Sequence, residues 1–183
     1  MLCRLVTAAA LTCIAISAAR AEDLREFSSQ DLPGSQGVIV RLQHPAGWRK
    51  VITDDAMALA ELRGPHGRLT GILQIGRGRR HAGTEALCQP ERARTMLQNP
   101  GAEESDARVT EVVARRIADR PGYEIRYERN NAPGFLLVRS LIVCLKDSRL
   151  VVSCGATGPS KAALGEIEPV CRNVLESLAI SEE

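Results

Sequence analysis

The chain reads as an α+β protein, an antiparallel sheet with helices packed on it, and three stretches predict this. Residues Phe135 to Thr157 form two apolar runs, rich in leucine and β-branched residues, around the polar cluster Lys146-Asp147-Ser148-Arg149, which is the pattern of a long β-hairpin. Tyr123, Ile125 and Tyr127 alternate with Glu124, Arg126 and Glu128, giving a strand with one wet face. Leu164, Ile167, Cys171, Val174 and Leu178 recur at helical spacing and make one apolar stripe. Both hairpin arms are nearly continuous in apolar residues, so they are expected to be covered on both faces at the centre of the sheet.

The first residues read as a targeting segment. Arg4 supplies the positive region, and Leu5 to Ala18 is an apolar run too short to span a bilayer. Ala19-Arg20-Ala21 then offers small residues for cleavage before Glu22, with cleavage after Ala19 as the alternative. No arginine pair precedes the apolar run, so the general secretory route is expected, and the mature chain should be soluble and exported, periplasmic or secreted.

Glu22 to Gly37 is polar, contains Pro33-Gly34-Ser35, and is expected to be an N-terminal arm outside the core. Val38 to Gln43 is the first strand, closed by His44-Pro45-Ala46-Gly47, and Trp48 to Ile52 resumes extended structure. Asp54-Asp55 turns into an alternating segment, Ala56 to Arg63. Gly64-Pro65-His66-Gly67 is a turn signal before a returning strand over Leu69 to Ile75. Gly76 to Gly83 reads as a loop. A helix follows, with Thr84 able to cap its opening and Pro90 acceptable at a first helical position, until Asn99-Pro100-Gly101 stops it. Val109 to Ile117 is a strand, Arg120-Pro121-Gly122 a turn, and Asn130 to Gly134 leads into the hairpin. Ser160 is a candidate N-cap for the last helix, in which Pro169 either kinks the helix or marks its start after a short turn. The expected layout is a signal peptide over 1–21, an arm over 22–37 and one domain over 38–180.

Charge narrows the function. The signal holds Arg4 and Arg20 and no acidic residue, so the 24 Lys and Arg of the whole chain fall to 22, against 22 Asp and Glu. A formally neutral mature chain gives no electrostatic ground for nucleic acid or an anionic membrane as partner. The preference for arginine over lysine is taken as genome composition except where arginines cluster.

Four cysteines remain after the signal: Cys88, Cys144, Cys154 and Cys171. An even number in an exported chain, without a C-x-x-C, predicts two disulfides rather than a metal or redox site. If Asp147-Ser148 is a two-residue turn, Leu145 faces Leu150 and Leu141 faces Cys154. Opposed residues share a sheet face and successive residues alternate, so Cys144 and Cys154 point to opposite faces and cannot bond each other. Cys171 on the last helix is then the partner of Cys154, leaving Cys88 for Cys144. A three-residue turn reverses this parity and leaves the connectivity open. Each bridge should stabilise by about 2–4 kcal/mol.

With the H-P-A-G-W turn (His44 to Trp48) and the closing helix R-N-V-L-E-S-L-A-I (Arg172 to Ile180), the chain resembles the Mog1/PsbP-like superfamily over about Val38 to Ile180. Members typically enter a P-x-G-W turn from an extended segment and end in a helix closing on a Ser-Leu or Ser-Phe step. The resemblance implies an antiparallel sheet sandwiched by helices, an α-β-α arrangement. It carries no function over, since the superfamily spans photosystem accessory subunits, a Ran-binding protein and bacterial exported proteins. Neither a photosystem-docking nor a Ran-binding motif is matched here.

Among polar clusters, Arg77, Arg79, Arg80 and His81 follow a strand and precede a helix, where cations and backbone N–H groups could hold an anion. His81 stands where a dinucleotide fingerprint needs its third glycine, and no Walker sequence is present. The bland alternative is a solvated basic loop. His44, His66 and His81 lie in separate turns without metal-ligand spacing, and neither Ser153 nor the cysteines complete a nucleophilic set. The expectation is a non-enzymatic module, without metal or cofactor, acting by contact with an envelope protein. The alternative is a small-ligand or anion-binding protein using residues 77–81.

Overall fold

A computed structural model describes residues 23–55, 57–79, 88–91, 94–95, 107–131 and 134–182. Among the described residues, the elements with both ends defined follow the order β1 (Leu24–Ser28), β2 (Val38–Pro45), β3 (Arg49–Val51), β4 (Ala58–His66), β5 (Leu69–Arg79), β6 (Ala107–Ile117), β7 (Arg120–Asn131), β8 (Gly134–Cys144), β9 (Ser148–Gly158), α1 (Lys161–Leu164), α2 (Ile167–Glu176) and β10 (Ala179–Glu182). Seven strands form one antiparallel sheet in the order β3-β4-β5-β9-β8-β7-β6, and a second sheet has the order β1-β2-β10. The hairpin β8–β9 thus occupies the middle of the large sheet, as its two-sided apolar pattern requires.

The two faces of the hairpin differ in what covers them. Leu137, Leu141 and Val143 of β8 and Leu150, Val152, Cys154 and Ala156 of β9 share one face. They are buried with Ile167, Cys171, Val174 and Leu175 of α2 and with Val38, Val40 and Leu42 of the small sheet. Ile142 lies on the other face, packed on a smaller cluster of Val112, Tyr123 and Ile125. Helical residues Pro90, Glu91, Arg94 and Thr95 belong to that side, where Arg94 Nη2 donates to the Val112 carbonyl at 3.0 Å.

One disulfide fastens each face. Cys88 joins Cys144, and Cys154 joins Cys171. Cys144 lies opposite Arg149 and Cys154 opposite Arg139, so the two hairpin sulfurs project from opposite sides. The turn sits one residue earlier than expected, on Lys146-Asp147, with Leu145 N donating to Ser148 O at 2.9 Å. A two-residue loop preserves the parity that separates the cysteines.

Several boundaries differ from the expectation, each for a local reason. The expected turn Gly64–Gly67 is mostly strand: β4 runs through His66, and the chain reverses at Gly67-Arg68, where Gly67 takes φ 58°. Pro65 is accommodated because β3 pairs only with Glu61–Arg63, leaving β4 a single neighbour there. Gly64 and Gly71 face each other across β4 and β5 and make a floor for the Trp48 indole, which is 1 % exposed. Gly76 to Arg79 continues β5 against β9 instead of looping out. Ala118-Asp119, rather than Arg120-Pro121-Gly122, reverses the chain between β6 and β7.

At the end of the chain, Ser160 caps α1 by accepting from Ala163 N at 3.2 Å. Pro169 falls in the first turn of α2, where its missing N–H costs nothing. That helix stops at Glu176, and Ala179–Glu182 becomes β10 beside β2 instead of a last helical turn. In the segment 22–37, expected as an arm, Leu24–Ser28 pairs with β2, and Ser29 is buried, its Oγ accepting from Val40 N at 2.9 Å.

Tyr123 is fully buried, and its hydroxyl has no hydrogen-bond partner among the described residues. Burial pushes its phenol up from 10.0 to about 12, against an opposing pull from Arg149. The folded state therefore holds this proton more tightly than the unfolded chain, so the contribution to stability is whole below pH 10.0 and is lost as pH rises towards about 12. Tyr123→Phe is expected to remove that alkaline loss. With no partner left behind, it should leave neutral-pH stability unchanged or raised by about 1 kcal/mol, read by urea unfolding at neutral and alkaline pH.

Candidate functional site

The charged side of β7 shares its sheet face with α1 and α2, so the strand's wet face is roofed by helices through ion pairs. Arg126 Nη2 lies 2.6 Å from Glu168 of α2, and Lys161 of α1 lies 2.7 Å from Glu128. Further along, β7 leaves the helix, and a cavity of about 380 Å³ opens between β6, β7, β8 and the second half of α2.

Four arginines line it: Arg115 and Arg116 from β6, Arg139 from β8 and Arg172 from α2. Glu124 sits between two of them. Arg115 donates to Glu124 Oε2 from Nε at 3.2 Å and Nη2 at 2.9 Å, while Arg139 Nε lies 3.0 Å from Oε1. Arg116 Nη2 donates to Asp119 O at 2.8 Å, pinning the turn in which Ala118 and Asp119 both take positive φ, 47° and 61°. That is the conformation a two-residue hairpin of this hand demands, and it is costly for a residue with a Cβ. Arg172 is exposed and makes no ion pair among the described residues. Ile117, Leu141, Leu175 and Leu178 form the apolar part of the wall. Among the described residues, the lining holds two carboxylates, Glu124 and Glu176, and so two more cations than anions.

Of the expected basic site, only the Arg77 side chain lies among the described residues. Arg77 stands on β5, and its guanidinium is committed: Nε donates to Ser148 Oγ at 3.1 Å, and Nη1 donates to the carbonyls of Ser35 and Gln36. It ties the segment before β2 to the hairpin turn. The backbone of Arg79 lies opposite Ser148, while Arg80 and His81 lie outside the described residues. The cavity arginines were passed over because arginine was taken as background composition. The available signal was Arg139, the one charged residue within the apolar arm Phe135–Cys144, together with the adjacent pair Arg115-Arg116 at a strand end.

No family model matches the chain, and no curated protein matches it in sequence. Solved structures do match in shape. The solution structure of cyanobacterial PsbP (CyanoP) from Synechocystis sp. PCC 6803 superposes with a TM-score of 0.56 at 12% identity, covering 90% of this chain and 96% of that one. LpqN, described as involved in cell envelope biogenesis of Mycobacterium tuberculosis, superposes with a TM-score of 0.54 at 13% identity over 86% and 91% of the two chains. The chain has the Mog1/PsbP-like fold. A Pseudomonas aeruginosa protein described as a putative regulator, PA94, superposes with a TM-score of 0.52 at 14% identity, over 78% of this chain and 92% of that one. At such identities the likeness is one of architecture, and the functions differ between neighbours. Among the described residues of this Mog1/PsbP-like domain, no helix is long and apolar enough to cross a membrane.

Proposed function

We propose that the protein is an exported, non-enzymatic accessory or assembly module of the bacterial cell envelope, acting by contact with another envelope protein. The observation that carries this reading is the segment between β3 and β4. There Ile52 is 98% exposed and Met57 54% exposed, beside the acidic Asp54 and Asp55. The segment is held in place: Asp55 Oδ1 accepts from Met57 N at 2.9 Å, and Asp55 Oδ2 accepts from Gln74 Nε2 at 3.2 Å. An isoleucine left in water forgoes about 1.5–3 kcal/mol that burial against a partner recovers. Presented on a fixed loop at the short edge strand β3, it suits a contact surface.

Two further facts support the reading. Disulfides on both faces of the sheet suit an oxidising compartment, and LpqN, of the same architecture, is described as working in envelope biogenesis. The test is photo-crosslinking in cells from an unnatural residue at position 52. A discrete adduct with one envelope protein, lost when Met57→Asp is added, is the expected result; a diffuse or absent adduct contradicts it. The alternative reading, a ligand held by residues 77–81, is weakened by the engagement of Arg77.

A further inference from the structure

We propose that the cavity between β6, β7, β8 and α2 binds a small amphipathic anion, a carboxylate carrying a short apolar chain. Its volume of about 380 Å³ falls at the lower end of small-ligand pockets. Its lining divides by chemistry, with Arg115, Arg116, Arg139 and Arg172 against Ile117, Leu141, Leu175 and Leu178. Guanidinium groups are strong donors to carboxylate oxygens, and the protein's own Glu124 lies between two of them, with Arg115 donating to Oε2 and Arg139 Nε 3.0 Å from Oε1.

This internal carboxylate satisfies only part of the positive charge. Arg172 has no ion-pair partner among the described residues, and Arg116 spends one nitrogen on Asp119 O, so both can receive a second anion. The negative end of α2, which would oppose an anion, is partly quenched by its own cap. Ser177 N and Oγ donate to Asn173 O and Val174 O at 3.1 Å and 2.7 Å, and Leu178 N donates to Leu175 O at 3.3 Å. Glu176 at the rim limits the site to a ligand of low charge. The apolar wall then holds the chain, so a bare inorganic anion leaves half of the surface unused.

The test is calorimetric titration of the purified full chain with octanoate, n-octanol and inorganic phosphate at matched ionic strength. Saturable octanoate binding is expected, weakening as salt rises. Arg172→Ala and Arg116→Ala should each weaken it about tenfold, the equivalent of one lost charge-assisted hydrogen bond. Arg172 touches no ionic partner among the described residues, so Arg172→Ala should keep its unfolding midpoint, and Arg172→Lys should bind with an affinity between those of the wild type and Arg172→Ala. Absence of saturable octanoate binding overturns the proposal, as does octanol or phosphate binding equally well, or unchanged affinity in Arg172→Ala. None of these outcomes bears on cross-linking from position 52, so this site and the proposed partner contact stand or fall separately.

Discussion

Replacing Trp48 by alanine is expected to lower folding stability by about 3–5 kcal/mol, the range for truncating a large buried aromatic. The indole is 1% exposed and lies on two glycines that face each other across β4 and β5. A Cβ added at Gly71 would stand 2.2 Å from indole Cζ2, and one added at Gly64 would stand 2.5 Å from Cδ1. The ring therefore fills a slot that exists only because both positions lack side chains. Its backbone cannot withdraw either, since Trp48 N donates to Pro45 O at 3.0 Å. Gly71→Ala approaches the same contact from the other side and should cost about 1–3 kcal/mol through overpacking. Urea unfolding should show both as lower midpoints with unchanged slopes.

Removing either disulfide should rank next. The Cys88–Cys144 bridge closes a separation of 56 residues and the Cys154–Cys171 bridge one of 17. Restriction of the unfolded chain then predicts losses of about 4 and about 3 kcal/mol for the respective double alanine variants. Cys154 and Cys171 are also buried in the main core, at 0% and 1% exposure, so emptied volume adds to the smaller entropic figure. The two double variants should accordingly fall close together in urea. A negligible loss in both would mean that the bridges do not hold the layers.

The centre of the fold was legible because its signals are local. Two apolar arms around Lys146-Asp147-Ser148-Arg149 can lie only where both faces are covered, and hairpin parity separates Cys144 from Cys154 even with the turn displaced by one residue. The periphery was less legible. Gly64 and Pro65 carry the composition of a turn, and only the distant Trp48 makes Gly64 a strand residue. Gly76 to Arg79 becomes strand because β9 is long enough to pair with it, which is tertiary information. The helix expected to run to Ile180 ends at Glu176, and Ala179–Glu182 is claimed by β2. The arginine-lined cavity was hidden for a related reason. Its members, Arg115, Arg116, Arg139 and Arg172, come from three elements spread over nearly sixty residues; the register of β6, β7 and β8 brings Arg115 and Arg139 to one sheet face, α2 adds Arg172 over it, and Arg116 joins from the end of β6.

Peptide mapping of the unreduced protein tests the arrangement most directly, because the bridges record which sheet face each layer occupies. Peptides linking Cys88 to Cys144 and Cys154 to Cys171 are the predicted result. A Cys144–Cys154 link would place both hairpin sulfurs on one face and contradict a central hairpin clamped from two sides.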